Sequence, residues 1–142
     1  RYNGALSNAS PVPAMSIRID HLDHLVLTVE DIDAAVAFYE GALGMEAVTF
    51  GNGRTALRFG RQKINLHLAG HEIEPKARAA APGTADLCFI CATPVAEVLA
   101  RLEALGIRPE LGPVRRTGAE GPLTSVYLRD PDGNLIELSN PA

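Results

Sequence analysis

The sequence contains no tryptophan, and its aromatic rings are limited to three tyrosines and four phenylalanines in 142 residues. A core built from this chain must therefore be largely aliphatic. No apolar run approaches the ~20 residues that cross a bilayer. The N-terminus also lacks the charged-then-apolar order of a secretory signal, so a soluble, cytoplasmic protein with no membrane partner is expected. Basic residues are not in excess: the formal charge is -4 and the pI is near 5.5. This balance argues against a phosphate-backbone footprint and so against nucleic acid as a partner. Cysteine is nearly absent. Cys88 and Cys91 stand three apart in the apolar run Leu87-Cys88-Phe89-Ile90-Cys91. Residues three apart on a strand face opposite ways, so the pair neither closes a disulfide nor grips a metal jointly. Both read as small buried hydrophobes.

What the chain does have is an internal repeat. Residues 1–16 mix Ser, Asn, Ala and Pro without periodicity and read as an extension or expression remnant outside the core. Residues 17–140 read as one domain, with a first module at 17–70, a linker at 71–83 and a second module at 84–140. Each module follows the order strand, helix, three strands. The first strand runs from His21 to Val29. Glu30-Asp31 opens a helix with Ile32, Val36, Tyr39 and Leu43 at helical spacing, and Gly44 suits a left-handed C-terminal cap. Strands follow at Glu46–Phe50, Arg54–Phe59 and Lys63–Leu68. The second module repeats this with a strand at Asp86–Cys91 and a helix opened by Thr93-Pro94 that buries Val95, Leu99, Leu102 and Leu105. Its remaining strands are expected near Glu110–Val114, Thr124–Leu128 and Asn134–Leu138. The predicted class is α+β, with two tandem βαβββ modules.

Two offsets describe the repeat. Ala42-Leu43-Gly44 matches Ala104-Leu105-Gly106 at an offset of 62, which carries His24 onto Asp86. Asn65-Leu66-His67-Leu68 matches Leu135-Ile136-Glu137-Leu138 at an offset of 70, which sets His67 opposite Glu137. The eight-residue excess falls where Arg115–Pro122 forms a loop able to serve a site. Strand alternation then turns His24, His67, Asp86 and Glu137 away from the helices and into the concavity that the curved sheets enclose. Imidazole and carboxylate donors suit one divalent ion of the Zn, Ni, Mn, Co or Fe series. Four protein ligands leave positions open for water or substrate. Arg116 on the extra loop, with Asn65, Ser125 and Tyr127, is placed to orient an anionic or hydroxylated substrate. His21 and His71 carry no such positional signal.

The segments Asp23-His24-Leu25-Val26-Leu27-Thr28-Val29, Phe38-Tyr39 and Leu43-Gly44-Met45, with the closing run Arg129-Asp130-Pro131-Asp132-Gly133-Asn134-Leu135-Ile136-Glu137, resemble the vicinal-oxygen-chelate superfamily. That group includes glyoxalase I, fosfomycin-resistance proteins, extradiol dioxygenases and bleomycin-binding proteins. The resemblance runs from about Ile17 to Asn140. Lys63-Ile64-Asn65-Leu66-His67, Glu74-Pro75-Lys76-Ala77 and Gly112-Pro113-Val114-Arg115-Arg116-Thr117-Gly118-Ala119 resemble, more narrowly, the glyoxalase-domain-containing-5 and virulence-protein-like subgroup.

The resemblance implies paired modules forming a U-shaped cup around one divalent metal held by His24, His67, Asp86 and Glu137, and dimerisation, since members often form homodimers. It implies a glyoxalase-like lyase or isomerase acting on a small substrate with two neighbouring oxygens. The metal would act as Lewis acid, stabilising an enediolate-like intermediate, and Glu137 would serve as the catalytic base. Two departures stand out. Glyoxalase I typically has a carboxylate at the place of His67 and a histidine at that of Asp86. Thr28 stands where it carries an Arg that helps hold glutathione. The alternatives are a ring-cleaving dioxygenase and a non-catalytic small-molecule binder.

Overall fold

The computed structural model describes residues 15–142. Apart from Met15 and Ser16, the expected extension over 1–16 lies outside the described residues. Ten elements follow in order. The first module comprises β1 (His24–Val29), α1 (Ile32–Gly41), β2 (Glu46–Phe50), β3 (Arg54–Phe59) and β4 (Gln62–Leu68). The second comprises β5 (Asp86–Ile90), α2 (Val95–Ala104), β6 (Leu111–Thr117), β7 (Pro122–Arg129) and β8 (Leu135–Pro141). The strands form two four-stranded mixed sheets, ordered β1-β4-β3-β2 and β5-β8-β7-β6. In each, the first strand of the module runs parallel to its last. The α+β class and the duplicated βαβββ order agree with the sequence reading.

Local chemistry sets the helix boundaries. Asp31 caps α1, its side chain accepting from the Ala34 N–H at 3.0 Å. At the other end Gly44 takes φ +68°, and the Met45 and Gly44 amides return to the carbonyls of Tyr39 and Glu40. The start of α2 differs from expectation. Pro94 occupies the cap position and offers no side-chain acceptor. The free Val95 N–H is satisfied instead by Asn140 Oδ1 of β8 at 2.7 Å, and the Asn140 amide group also donates to the carbonyls of Cys91 and Thr93. The buried stripe of α2 is Val95, Val98 and Leu102. Leu105, expected inside, is 53% exposed because the helix ends before it.

One face of each sheet meets the helices. Leu27 and Val29 of β1, Leu57 of β3 and Ile64 and Leu66 of β4 join Ala35 and Tyr39 of α1 in a single core with Val126, Leu128, Ile136 and Leu138 of the second sheet. The modules are tied together at specific points. Phe59 meets Phe89 edge to face with centroids 5.2 Å apart. The Tyr39 hydroxyl donates to Asp130 Oδ2 at 2.6 Å, and the Glu30 N–H donates to Asp132 Oδ1 at 3.0 Å. Asp130 also organises its own turn by accepting from the Asp132 and Asn134 amides. The helix of the first module thus rests on the closing turn of the second.

The expected loop at Arg115–Pro122 is a correction. β6 continues to Thr117 and β7 begins at Pro122, so the additional residues lengthen a hairpin closed by a Gly118 N–H to Gly121 carbonyl bond. Near its base β6 carries an irregularity between Leu111 and Val114. Gly112 sits there at φ +115°, and a Cβ would lie 2.5 Å from the Ser125 carbonyl oxygen. Only glycine combines that dihedral with so close an approach.

Candidate functional site

The helix-free face of each sheet carries the polar residues, as alternation predicts. On the first sheet this face holds His24, Val26 and Thr28 of β1 beside Lys63, Asn65 and His67 of β4. On the second it holds Asp86, Cys88 and Ile90 of β5 beside Leu135, Glu137 and Ser139 of β8, followed by Arg129, Tyr127 and Ser125 of β7 and then Val114 and Arg116 of β6.

Register corrects the repeat. His24 pairs with Lys63 and Asp86 with Leu135. Lys63 and Leu135 are 72 apart, so the counterpart of Glu137 is Asn65, and His67 answers Ser139. His24 and Asn65 are diagonal neighbours, two residues apart across parallel strands, and Asp86 and Glu137 stand in the same relation. His67 lies opposite Thr28, four residues beyond the level of His24, roughly 13 Å along the strand. His24 is open to solvent with its Nδ1 2.8 Å from Asp23, whereas His67 is buried. The structure does not bring these two histidines together. Among the described residues no three His, Cys, Asp or Glu side chains cluster as a metal-binding group. The four expected ligands are therefore split between the two sheets.

Asn65 has the signature that His67 lacks. It is 4% exposed, and its Oδ1 is buried without a hydrogen-bond partner. A buried carbonyl-type oxygen left unpaired costs on the order of 1–3 kcal/mol, so an acceptor-seeking group is needed there. A divalent ion takes such an oxygen. As donors to a metal they would act as two half-sets, His24 with Asn65 on the first sheet and Asp86 with Glu137 on the second.

Around Glu137 the second sheet builds a polar network. Ser125 Oγ donates to Glu137 Oε2 at 2.6 Å, Ser139 Oγ lies 3.3 Å from the same oxygen, and the two serines are 2.6 Å apart. Both serines are fully buried. Ser125, expected to contact substrate, instead anchors the carboxylate from beneath and leaves Oε1 outside this serine pair. Arg116 Nε donates to the Tyr127 hydroxyl at 2.8 Å, with the guanidinium over the Tyr127 ring. Burial pushes the Tyr127 phenol above its ordinary pKa, Arg116 pulls it down and neighbouring Glu137 pushes it up, so the phenol remains a donor at neutral pH.

Cys88 corrects another expectation. It is exposed on this same face, its Sγ 3.4 Å from Ser139 Oγ, while Cys91 packs against the core. Burial of its sulfur and the adjacent Glu137 carboxylate push the thiol upward. Ser139 and Cys88 escaped the sequence reading, although both share the parity of Asp86 and Glu137.

A cavity of about 740 Å³ lies between the C-terminal ends of the helices, beside Phe59 and Phe89, and none of these candidate residues lines it. A second, of about 470 Å³, is lined by Thr28, His67 and Lys76 beneath the linker.

Comparison with known proteins agrees with this architecture. Residues 21–138 match the family model described as the glyoxalase/bleomycin resistance protein/dioxygenase superfamily. The chain is 57% identical over 121 residues to virulence protein STM3117 of Salmonella typhimurium, covering 85% of this chain and 84% of that protein. It is 52% identical over 124 residues to the glyoxalase domain-containing protein RDO1 of Mycosarcoma maydis, covering 87% and 70% respectively. The crystal structure of STM3117 superposes with a TM-score of 0.88 at 55% identity, covering 89% of this chain and all of the other. A lactoylglutathione lyase from Agrobacterium tumefaciens superposes with a TM-score of 0.67 at 30% identity, covering 87% and 95%. On its sequence match and its fold, the chain belongs to the glyoxalase/bleomycin resistance protein/dioxygenase superfamily.

Proposed function

We propose that the protein is a divalent-metal-dependent lyase or isomerase of glyoxalase type, acting on a small molecule with two neighbouring oxygens. The observation that carries this reading is the matched pair of half-sets, His24 with Asn65 and Asp86 with Glu137, together with the orphaned Asn65 Oδ1. A bound ion would supply Lewis-acid polarisation of the substrate oxygens. Glu137 is the base: Ser125 and Ser139 hold one carboxylate oxygen, leaving the other to take a proton from carbon. The Tyr127 hydroxyl, oriented by Arg116, donates to a substrate oxygen.

Because one chain does not gather three ligand residues among those described, we assign completion of the site to a second copy, giving a homodimer in which one copy's first module faces the other's second. Mixing tests both claims. A His24→Ala chain and a Glu137→Gln chain, each inactive alone, should recover activity on methylglyoxal plus thiol when refolded together, with about one metal per restored site by elemental analysis. Recovery is excluded if both half-sets work within one chain. A wild type that holds no metal and gains no activity on reconstitution would overturn the enzyme reading in favour of a small-molecule binder.

A further inference from the structure

The residue just before β1 is hydrogen-bonded to a candidate donor: Asp23 Oδ2 lies 2.8 Å from His24 Nδ1. An ionised carboxylate has no proton to give, so the N–H of this contact belongs to the imidazole and sits on Nδ1. The lone pair of a neutral His24 is then on Nε2, the ring nitrogen farther from the backbone. Both side chains reach solvent, but the main chain beneath them is fixed. The Lys63 N–H donates to the Asp23 carbonyl at 3.3 Å, and Gln62 Nε2 donates to the Leu22 carbonyl at 2.9 Å. The pair is thus anchored to the start of β4.

This placement bears on the orphaned oxygen of Asn65. His24 and Asn65 are diagonal neighbours on the helix-free face, and Asn65 Oδ1 is buried without a donor. With its proton on Nε2, His24 would be a donor beside that oxygen, and the two side chains could close on each other. With its proton on Nδ1, it offers a second lone pair instead. Two neighbouring acceptors with no proton to share suit a cation. Asp20 and His21 repeat the contact three residues earlier, but His21 lies outside the β1–β4 pairing. A carboxylate beside an imidazole therefore does not mark a donor by itself; the position opposite β4 does.

We propose that Asp23 is a positioning residue: it holds the His24 proton on Nδ1 and so keeps the His24–Asn65 half-set open to a metal ion rather than closed by an internal hydrogen bond. This role rests on the metal-dependent reading of the site, whereas the place of the proton is a property of the metal-free chain. A carboxylate set behind a ligating imidazole in this way contributes about 10–100-fold in metal affinity.

The test is long-range proton–nitrogen NMR of the histidine rings, on the metal-free full chain in mildly alkaline buffer, followed by equilibrium dialysis against Zn²⁺ alone. His24, identified by its loss in His24→Gln, should be the Nδ1–H tautomer in the wild type. Asp23→Ala, on an exposed residue, should keep the fold, move the proton to Nε2 and weaken Zn²⁺ by about 10–100-fold. Asp23→Asn, whose amide oxygen still accepts from Nδ1, should keep the tautomer and lose less affinity. Asp20→Ala is the control and should change neither. An Nε2–H tautomer in the wild type, an unchanged tautomer in Asp23→Ala, or a changed tautomer with undiminished Zn²⁺ affinity would overturn the proposal. A wild type that takes up no Zn²⁺ yet shows the Asp23-dependent tautomer would overturn the metal reading and leave the proton placement in force.

Discussion

Tyr39 of α1 and Asp130 of the β7–β8 turn, 91 positions apart in sequence, share a 2.6 Å hydrogen bond that joins the two modules inside the core. Tyr39 is completely buried, and burial first and Asp130 second push its phenol well above the ordinary value of 10. The unfolded chain ionises first as pH rises. Stability contributed by the neutral phenol is complete below about pH 10 and declines above it. Urea melts should show wild type losing stability above pH 10 more steeply than Tyr39→Phe. At neutral pH that variant should be less stable by about 1.5–3 kcal/mol, the range for a hydrogen bond to a charged group. Parallel alkaline curves would contradict the assignment.

Metal affinity should discriminate Asn65 from His67. His24→Ala and Asn65→Leu are expected to lower affinity by at least about tenfold, while His67→Gln leaves stoichiometry unchanged, because register sets His67 opposite Thr28 and beyond the reach of His24. Equilibrium dialysis with elemental analysis measures all three. Loss of metal in His67→Gln alone would restore the pairing read from the linear repeat.

Glu137→Gln should lower kcat by about 10²–10⁴-fold, the usual contribution of a positioned base. Ser139→Ala is expected to lower it less, since Ser125 still holds Oε2 at 2.6 Å. The double Ser125→Ala, Ser139→Ala variant should exceed the sum of the singles, because each hydroxyl is the other's substitute. Steady-state kinetics with circular dichroism as a folding control decides this. Strict additivity would show that the serines act separately.

Gly112→Ala should destabilise the fold by at least about 2 kcal/mol, combining a left-handed dihedral with a clash against backbone. The added carbon would meet the Ser125 carbonyl, one residue from Val126 at the centre of the second sheet. Gly60→Ala offers the control: it shares a positive φ but meets nothing within 4 Å, and should cost less. Thermal melts of the two variants compare them directly.

The sequence made the architecture legible because alternation and turn residues act locally. Period-two patterning put Asp86, Glu137, Asn65 and His67 on the helix-free faces, and the structure agrees. It could not choose between Asn65 and His67. The two differ by one full strand period, so they share a face and only pairing with β1 separates them. The linear offset of 70 falls two short of the paired offset of 72 because apolar positions alone match equally well in either register. The cap from Asn140 to α2 was equally invisible, since it joins residues 45 apart. The apolar neighbours of Cys88 point to burial, whereas its register opposite Glu137 sets it on the exposed face.

The parallel pairing of β1 with β4 gives the site an unusual evolutionary freedom. Sliding β4 by two residues would bring His67 to the level now held by Asn65, with Leu66 and Leu68 replacing Ile64 and Leu66 against α1. The apolar pattern of the core would be preserved while an amide oxygen gave way to an imidazole. A change in length at the Gly60-Arg61 turn is thus a route to a new donor set that requires no substitution at the site itself, and relatives differing there are the ones in which to look for a different metal.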